Sequence, residues 1–405
     1  MHISSRTRGS WRVSFAGLLL ATPILCAAAS DNIRIGISCP FTGGSADMGI
    51  SMRNAVRLAV DEINNWAGGI AGRKVELIER DDQGNPEVGK KIAAELVSKD
   101  KVSATIGICN TGVGLATIDI FQDAKVPVLI AVATGTPLTQ KFASMPKNYI
   151  FRVSPRDEIQ APFIVAEVLK RGFRRIALFA DTTGYGAAGK KDVEAALAAH
   201  KLQPVSVQRF PIGVNDLSEQ VAQAKAAGAD VVISYTVGPE AAVLAKSIAN
   251  MKWNVQIVGS WPLSWRNFID AAGTAGEGSL VAVSFIQQAS FERRNAFMLS
   301  YQQKYKTTEI PAPMAAAQGY DAMMILFYAM HQAQSADPEK IQAALEDLNH
   351  QVAGVITTYS KPFSKSDHDA LSANMLVVGV VHKGRVDYAY KDDAMRSFVI
   401  QRKAP

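Results

Sequence analysis

From residue 33 onward the chain alternates apolar runs of strand length with longer helical patterns, and it runs through this alternation twice. Parallel strands need crossovers between them, so strands alternating with helices predict mainly parallel sheets covered on both faces. The first series predicts strands over 33–37, 75–79, 104–108 and 127–131, with helices over 49–65, 86–99 and 112–123. The second starts near Ile150, with strands over 175–180, 203–209, 231–235 and 256–259 and helices over 185–200, 216–227 and 239–251. Helices over 312–333 and 338–349 come next. The tail from Ile356 ends in short strands over 375–381 and 386–390, joined by a turn at His382-Lys383-Gly384.

The first helix shows the pattern in detail. Met52, Ala55, Val56, Ala59, Val60 and Ile63 share one face, with Arg53, Asn54, Arg57, Asp61 and Glu62 opposite. This is a one-sided apolar stripe suited to packing on a sheet. Gly68-Gly69 stops the helix. In the Ala-rich helix of the C-terminal third, Met314, Met323, Phe327 and Met330 read as core.

An export signal precedes this alternation. Arg6, Arg8 and Arg12 form a basic start without acids, residues 13–25 are mostly apolar, and Ala27-Ala28-Ala29 supplies small residues for cleavage after Ala29. The apolar run is interrupted by Thr22-Pro23 and is too short to remain as a membrane span. Leu25 before Cys26 does not suit lipid attachment. The expected compartment is the periplasm. Removing residues 1–29 leaves 376 of 405, enough for two or more domains, and the loss of three arginines lowers the formal charge from +6 to +3. That excess is spread along the chain, with no basic stripe for nucleic acid. Cys39 and Cys109 both end predicted parallel strands. Two readings stay open for them: a bridge, as an oxidising compartment permits, or two small buried apolar side chains.

Ligands of doubly wound sheets bind beyond the carboxyl ends of the strands. Segments 40–49, 109–114 and 132–136 lie there and are rich in Gly, Thr, Ser and Asn. They meet helix starts, where free N–H groups and the helix dipole favour an anion. Asn110, Thr111, the Val132 backbone, Ala133 and Thr134 are therefore candidates to hold a carboxylate, set against ordinary capping for any one segment. Met48 is a candidate wall residue. In the second series Tyr185, Tyr235, Trp261 and Trp265 fall at or after strand ends, which predicts an apolar wall facing the first unit.

Other chemistry finds less support. Gly184-Tyr185-Gly186-Ala187-Ala188-Gly189 fits the glycine spacing of dinucleotide sites. The next strand brings Arg209 and Phe210 but no acid for a ribose, so a tight turn at a helix entry is preferred and an NADP-dependent oxidoreductase is a remote alternative. The six histidines are scattered without metal-ligand spacing, so neither metal nor cofactor is expected. Asp367-His368-Asp369 reads as a solvated loop, and Asp81-Asp82 as turn and cap residues. No G-x-S-x-G elbow is present.

On IRIGISCPFTGGSADMG at 33–49, the helix containing AVDEIN, GGIAGRKVELIERDD at 68–82 and FADTTGYG at 179–186, the chain resembles the type I periplasmic solute-binding proteins of ABC importers. The similarity is in particular to the leucine/isoleucine/valine-binding protein family and spans nearly all of the chain after the signal. It implies an α/β fold of two doubly wound, Rossmann-like lobes with a ligand cleft between them and crossovers near 150–155, 282–287 and 353–358. Residues 30–152 with 286–355 would form the first lobe, and 153–285 with 356–405 the second. The resemblance also implies capture rather than catalysis, hinge closure, a monomer, and delivery to an ABC permease in the inner membrane. A periplasmic sensor subunit is the alternative.

Within that family the loops matching Asn110–Thr111 and Val132–Thr134 hold a ligand carboxylate. Amino-acid binders also place an acid after the strand that matches Ile257-Val258-Gly259, where this chain has Ser260-Trp261. The aromatic expected after the preceding strand is replaced by Val237. A buried ammonium without a charge partner costs several kcal/mol. The departure therefore points to an aromatic or branched-chain acid near Trp261 and Tyr185, with an amino acid kept open through Glu240.

Overall fold

A computed structural model describes residues 1–2 and 32–404, so the expected export signal lies outside the described residues. The chain begins with β1 (Ile33–Cys39), α1 (Ala46–Asn65), β2 (Val75–Asp81), α2 (Pro86–Ser98) and β3 (Ala104–Gly107). It continues through α3 (Thr111–Asp123), β4 (Val128–Ile130), the short α4 (Pro137–Gln140) and β5 (Ile150–Arg152). These strands form one parallel sheet in the order β2-β1-β3-β4-β5. Burial on both faces explains their unbroken apolar runs; Ile35, Ile37 and Ile106 have no exposed surface.

After α5 (Asp157–Lys170) the alternation returns with β6 (Ile176–Asp181), α6 (Gly184–Ala199), β7 (Ser206–Phe210), α7 (Ser218–Ala226) and β8 (Val231–Tyr235). Then come α8 (Gly238–Asn250), β9 (Gln256–Gly259), α9 (Arg266–Ala272) and β10 (Leu280–Val283). The chain next forms α10 (Glu292–Tyr305), α11 (Pro313–Ala333), α12 (Pro338–Glu346) and a ribbon of β11 (Val352–Ala353) and β12 (Thr358–Tyr359). It closes with β13 (Val377–His382), β14 (Arg385–Tyr388) and α13 (Lys391–Arg396). The second sheet has the order β14-β13-β10-β9-β8-β6-β7. Its five parallel strands thus wind as the first sheet does, and β13 and β14 extend it antiparallel. The molecule is an α/β protein of two doubly wound lobes.

Helices α10 and α11 return to the first lobe. A Cβ at Gly319 would lie 2.8 Å from Met52, so α11 approaches α1 closely because glycine is there. Met314, Met323, Phe327 and Met330 are all buried, as their spacing predicts. The helix expected to reach residue 349 stops at Glu346. Gln332 turns the chain there: its Nε2 donates to the Asp347 carbonyl at 2.9 Å and its Oε1 accepts from the Asn349 N–H at 2.8 Å.

Three further expectations are revised. Ile150 does not open the second unit; β5 pairs with β4 and completes the first sheet. Asp367-His368-Asp369 is not a solvated loop. The His368 ring stacks on Phe151 with centroids 4.1 Å apart, and Asp369 is buried against Arg152, with Nε to Oδ1 at 2.5 Å. The Arg152 N–H donates to the His368 carbonyl and the Ala370 N–H to the Arg152 carbonyl, each at 2.8 Å. Residues 368–370 therefore run along the edge of the first sheet, although the sequence reading puts 356–405 in the second lobe. The return to the second sheet comes between Ala370 and Val377, because the buried Arg152 takes its counter-ion from this segment.

Cys39 and Cys109 form a disulfide with Cα atoms 5.2 Å apart, tying the ends of neighbouring β1 and β3. Of the two readings left open by the sequence, the bridge is the one adopted. It joins residues 70 apart in sequence. Chain-entropy arguments give a loop of that length about 4 kcal/mol of stabilisation. Replacing both cysteines by alanine is expected to lower the urea midpoint by a corresponding amount; an unchanged midpoint in oxidised protein would contradict this.

Candidate functional site

Each sheet reverses its strand order beside its first strand, and such switch points are where doubly wound sheets bind ligands. The two switch points face one another across the cleft. From the first lobe, Met48 on α1, Cys109, Asn110 and Thr111 after β3, and Ala133 and Thr134 after β4 line a pocket. From the second, Tyr185 on α6, Val237 after β8, and Trp261, Pro262 and Trp265 after β9 complete it. Its walls stand close together and leave only about 10 Å³ of free space, far less than a small-molecule site holds, so a ligand enters as the lobes part.

The first-lobe side is built to meet an anion. Asn110 is the N-cap of α3, yet its side chain makes no capping bond, so first-turn N–H groups remain for a ligand. Ile108 just before it is buried in the left-handed region, φ 53°. A β-branched residue pays for that conformation. The Ile108 N–H donates to the Ser38 carbonyl and its carbonyl accepts from the Ala133 N–H, both at 3.0 Å. The Thr111 hydroxyl accepts from the Gly135 N–H at 3.2 Å, joining the two loops. A Cβ at Gly135 would fall 2.2 Å from the Thr111 methyl, so this approach needs glycine. Asn110 Oδ1 is buried without a protein partner, and the Thr134 hydroxyl is buried beside the Asp157 carboxyl, whose charged form it favours.

Arg152 shapes the Thr134 loop from beneath. Its Nη1 donates to the carbonyls of Thr134 at 3.0 Å and Gly135 at 2.8 Å, and Nη2 donates to Thr139 Oγ1 at 2.7 Å. Burial would raise the Asp369 carboxyl, but the adjacent Arg152 and Arg156 charges outweigh it and hold it below the usual carboxylate range. Sequence reasoning missed this pair, since the partners are far apart in the chain. A buried arginine ending a short strand was the only local hint.

Tyr235 is not part of the pocket wall. It stands behind Tyr185, ring centroids 5.2 Å apart, and its hydroxyl donates to Asp157 Oδ1 at 2.6 Å. The Asp157 N–H in turn donates to the Thr134 carbonyl at 2.8 Å. Burial pushes the Asp157 carboxyl up to about 7, against the opposing effects of the bonds from Tyr235 and Thr134. Val132 also lies outside the lining, fully buried one step below Ala133. Cys109, Val237 and Pro262 are lining residues that the sequence reading did not select. Glu240 does not reach inward: its Oε1 accepts from the Gly213 N–H at 2.7 Å.

The glycines at 184, 186 and 189 serve packing. A Cβ at Gly189 would lie 1.9 Å from the Tyr235 ring, and one at Gly184 would lie 2.8 Å from the Gly112 Cα of the other lobe. The lobes are closed on each other. The Asn267 N–H donates to Asp47 Oδ2 and its Nδ2 to the Gly44 carbonyl, both at 2.9 Å, while the Thr136 hydroxyl donates to Asp192 Oδ2 at 2.7 Å. Asp81 and Asp82 serve turns, as expected: Asp81 accepts from the Phe41 N–H and Asp82 from the Gly84 N–H. Several roomier hollows lie elsewhere, and two of them are the widest among the described residues. One borders Trp253 and Asp230 at the amino ends of β8 and β9, and the other borders Arg266, which is already paired with Asp270 and Glu309. Neither sits at the paired switch points. No helix among the described residues is long and apolar enough to cross a membrane.

Comparison with known proteins places this architecture. The model of the family described as "Periplasmic binding protein" matches residues 32–385. "Leu/Ile/Val-binding protein homolog 3" of Brucella melitensis is 29% identical over 329 residues, covering 81% of this chain and 86% of that protein. The "Leucine-, isoleucine-, valine-, threonine-, and alanine-binding protein" of Pseudomonas aeruginosa is 25% identical over 346 residues, 84% of this chain and 89% of that protein. The crystal structure of a "Periplasmic binding Protein Type 1" from Bordetella pertussis superposes with a TM-score of 0.80 at 27% identity, covering 88% of this chain and all of that one. The chain belongs to the periplasmic binding protein family; it is a substrate-binding protein and not an enzyme, which removes the oxidoreductase alternative.

Two outcomes follow from the buried acids. Replacing Asp369 by alanine leaves Arg152 charged and unpaired, a loss of about 3–5 kcal/mol in urea unfolding; a loss below 1 kcal/mol (of order) would contradict the anchoring role. Asp157 keeps its proton to about pH 7 when folded, whereas an unfolded aspartate loses it near pH 4 (roughly). Between these values the unfolded chain binds fewer protons, so stability falls as pH rises. Asp82 and Asp321, both raised by burial to about 6, slope the same way. An Asp157→Asn variant should show a smaller drop in melting temperature from pH 5 to pH 8 (roughly) than the parent, and an equal drop would refute the assignment.

Proposed function

We propose that this member of the periplasmic binding protein family captures a small carboxylate outside the cytoplasm, closes its lobes over it and presents the closed form to an ABC permease. The observation that carries the ligand class is the lining itself, in which no side chain is charged. An anion finds the α3 N-terminus and the Thr134 hydroxyl there, in keeping with the preference of helix N-termini for negative charge. An ammonium finds no carboxylate: Trp261 stands after β9, Glu240 serves Gly213, and Asp157 faces Tyr235. Tyr185, Trp261 and Trp265 offer apolar faces for an aromatic or branched body. Closure then follows from ligand contacts with the second lobe that exist only in the closed form.

A branched-chain amino acid is the second reading, favoured by the names of the Brucella and Pseudomonas relatives. A thermal-shift series with leucine, isoleucine and valine against phenylacetate and 4-methylpentanoate separates the two, because a ligand that binds the folded state raises its melting temperature. Stabilisation by the two carboxylates is expected. Stabilisation by leucine with none by either acid would establish the amino-acid reading instead. Thr134→Val should weaken the bound carboxylate about tenfold by isothermal titration, the equivalent of one hydrogen bond to a charged group; undiminished affinity would show that Thr134 is not an anchor.

A further inference from the structure

The second-lobe side of the pocket contains two hydrogen-bond donors that the protein leaves unmatched. Trp261 and Trp265 are 3% and 1% exposed and both line the cavity, and neither indole Nε1 has a protein acceptor within hydrogen-bonding distance. Native proteins satisfy the great majority of buried polar groups, and leaving one unmet forfeits the hydrogen bond it would make in water. An indole N–H only donates, so each needs an acceptor.

The two neighbouring serine hydroxyls are committed to other bonds, and neither indole N–H reaches the unpartnered Asn110 Oδ1 of the facing lobe or the unpartnered Asn267 Oδ1 near Trp265. The Ser260 hydroxyl is hydrogen-bonded to the Tyr185 hydroxyl. The Ser264 hydroxyl donates to the Trp261 carbonyl at 2.6 Å. The indole rings meet edge-on, with centroids 4.9 Å apart, which offers an N–H at most a π face, a second-order substitute for oxygen. Tryptophans chosen only as apolar walls would need no such arrangement; phenylalanine would fill the wall without burying a donor.

We propose that the ligand carries a second hydrogen-bond acceptor at the end opposite its carboxylate, a carbonyl-type oxygen received by the indole N–H groups of Trp261 and Trp265. The substrate class is then an oxo-carboxylate or a related acid with a distal oxygen, rather than a plain alkyl or aryl acid. This rests on the carboxylate reading above. It also gives the second lobe a polar contact made only when the cleft shuts, so the acceptor contributes directly to closure.

The test uses acid pairs of matched shape that differ in that oxygen: 4-oxopentanoate against 4-methylpentanoate, and 4-acetylbenzoate against 4-isopropylbenzoate. Isothermal titration should show the oxo member of at least one pair binding about tenfold or more tighter, the equivalent of one hydrogen bond. Trp261→Phe or Trp265→Phe should weaken the oxo acid more than its alkyl twin, so that the preference between the twins is lost. Should a variant fail to fold, indole ¹⁵N–H spectra of the parent protein answer the same question: the two buried indole signals shift downfield with the oxo acid and not with its twin. Equal binding of both twins, a preference kept by both Phe variants, or unmoved indole signals would overturn this inference and leave the carboxylate reading standing. Binding of leucine with none of the four acids would overturn both.

Discussion

The buried ion pair between Arg152 and Asp369 fixes more of this molecule than any other contact. It joins the last strand of the first sheet to a segment more than two hundred residues later. Arg152 also holds the Thr134 and Gly135 carbonyls, so the loop that faces the ligand takes its shape from a charge that never reaches the pocket. Buried pairs of this kind are costly to desolvate and are weak evidence of net stability. Their effect here is to specify position. The guanidinium's planar set of donors leaves the loop little freedom in where its carbonyls point.

Charge is accordingly kept behind the pocket. Arg152 lies under one loop, and Asp157 lies beside Thr134 with Tyr235 as its partner. The lining presents helix N–H groups, a threonine hydroxyl, an asparagine amide and aromatic rings. Such a surface binds through directed hydrogen bonds in a dry site, where each bond is stronger than in water and each mismatch is expensive. The cleft edges are latched by neutral or singly charged contacts, Asn267 with Asp47 and Thr136 with Asp192. Contacts of that type can part when the lobes open, because water replaces them at modest cost.

Much of the fold is legible in local pattern. Strand and helix periodicity, the Gly68-Gly69 stop and the stripe on α1 all report local preferences that the tertiary structure kept. Loops after β3, β4 and β9 are recognisable as site-forming because a parallel sheet puts its strand ends on one edge. The failures have one physical origin. Tyr235 ends a strand as Tyr185's neighbours do, but Gly189 leaves room for its ring to turn away from the pocket. Asp367-His368-Asp369 is polar and reads as solvated, yet Arg152 supplies a buried partner that no local window contains.

The sequence by itself determined the two-fold α/β winding, the switch-point loops and the absence of an acid at Trp261, since each depends on residue order over short spans. Only the tertiary structure decided that Cys39 and Cys109 bond, that residues 368–370 edge the first sheet, and that two indole N–H groups are buried without partners. Those facts depend on distances between segments distant in the chain. Periodicity tells which face of an element is buried, but not which side chain from elsewhere meets it there.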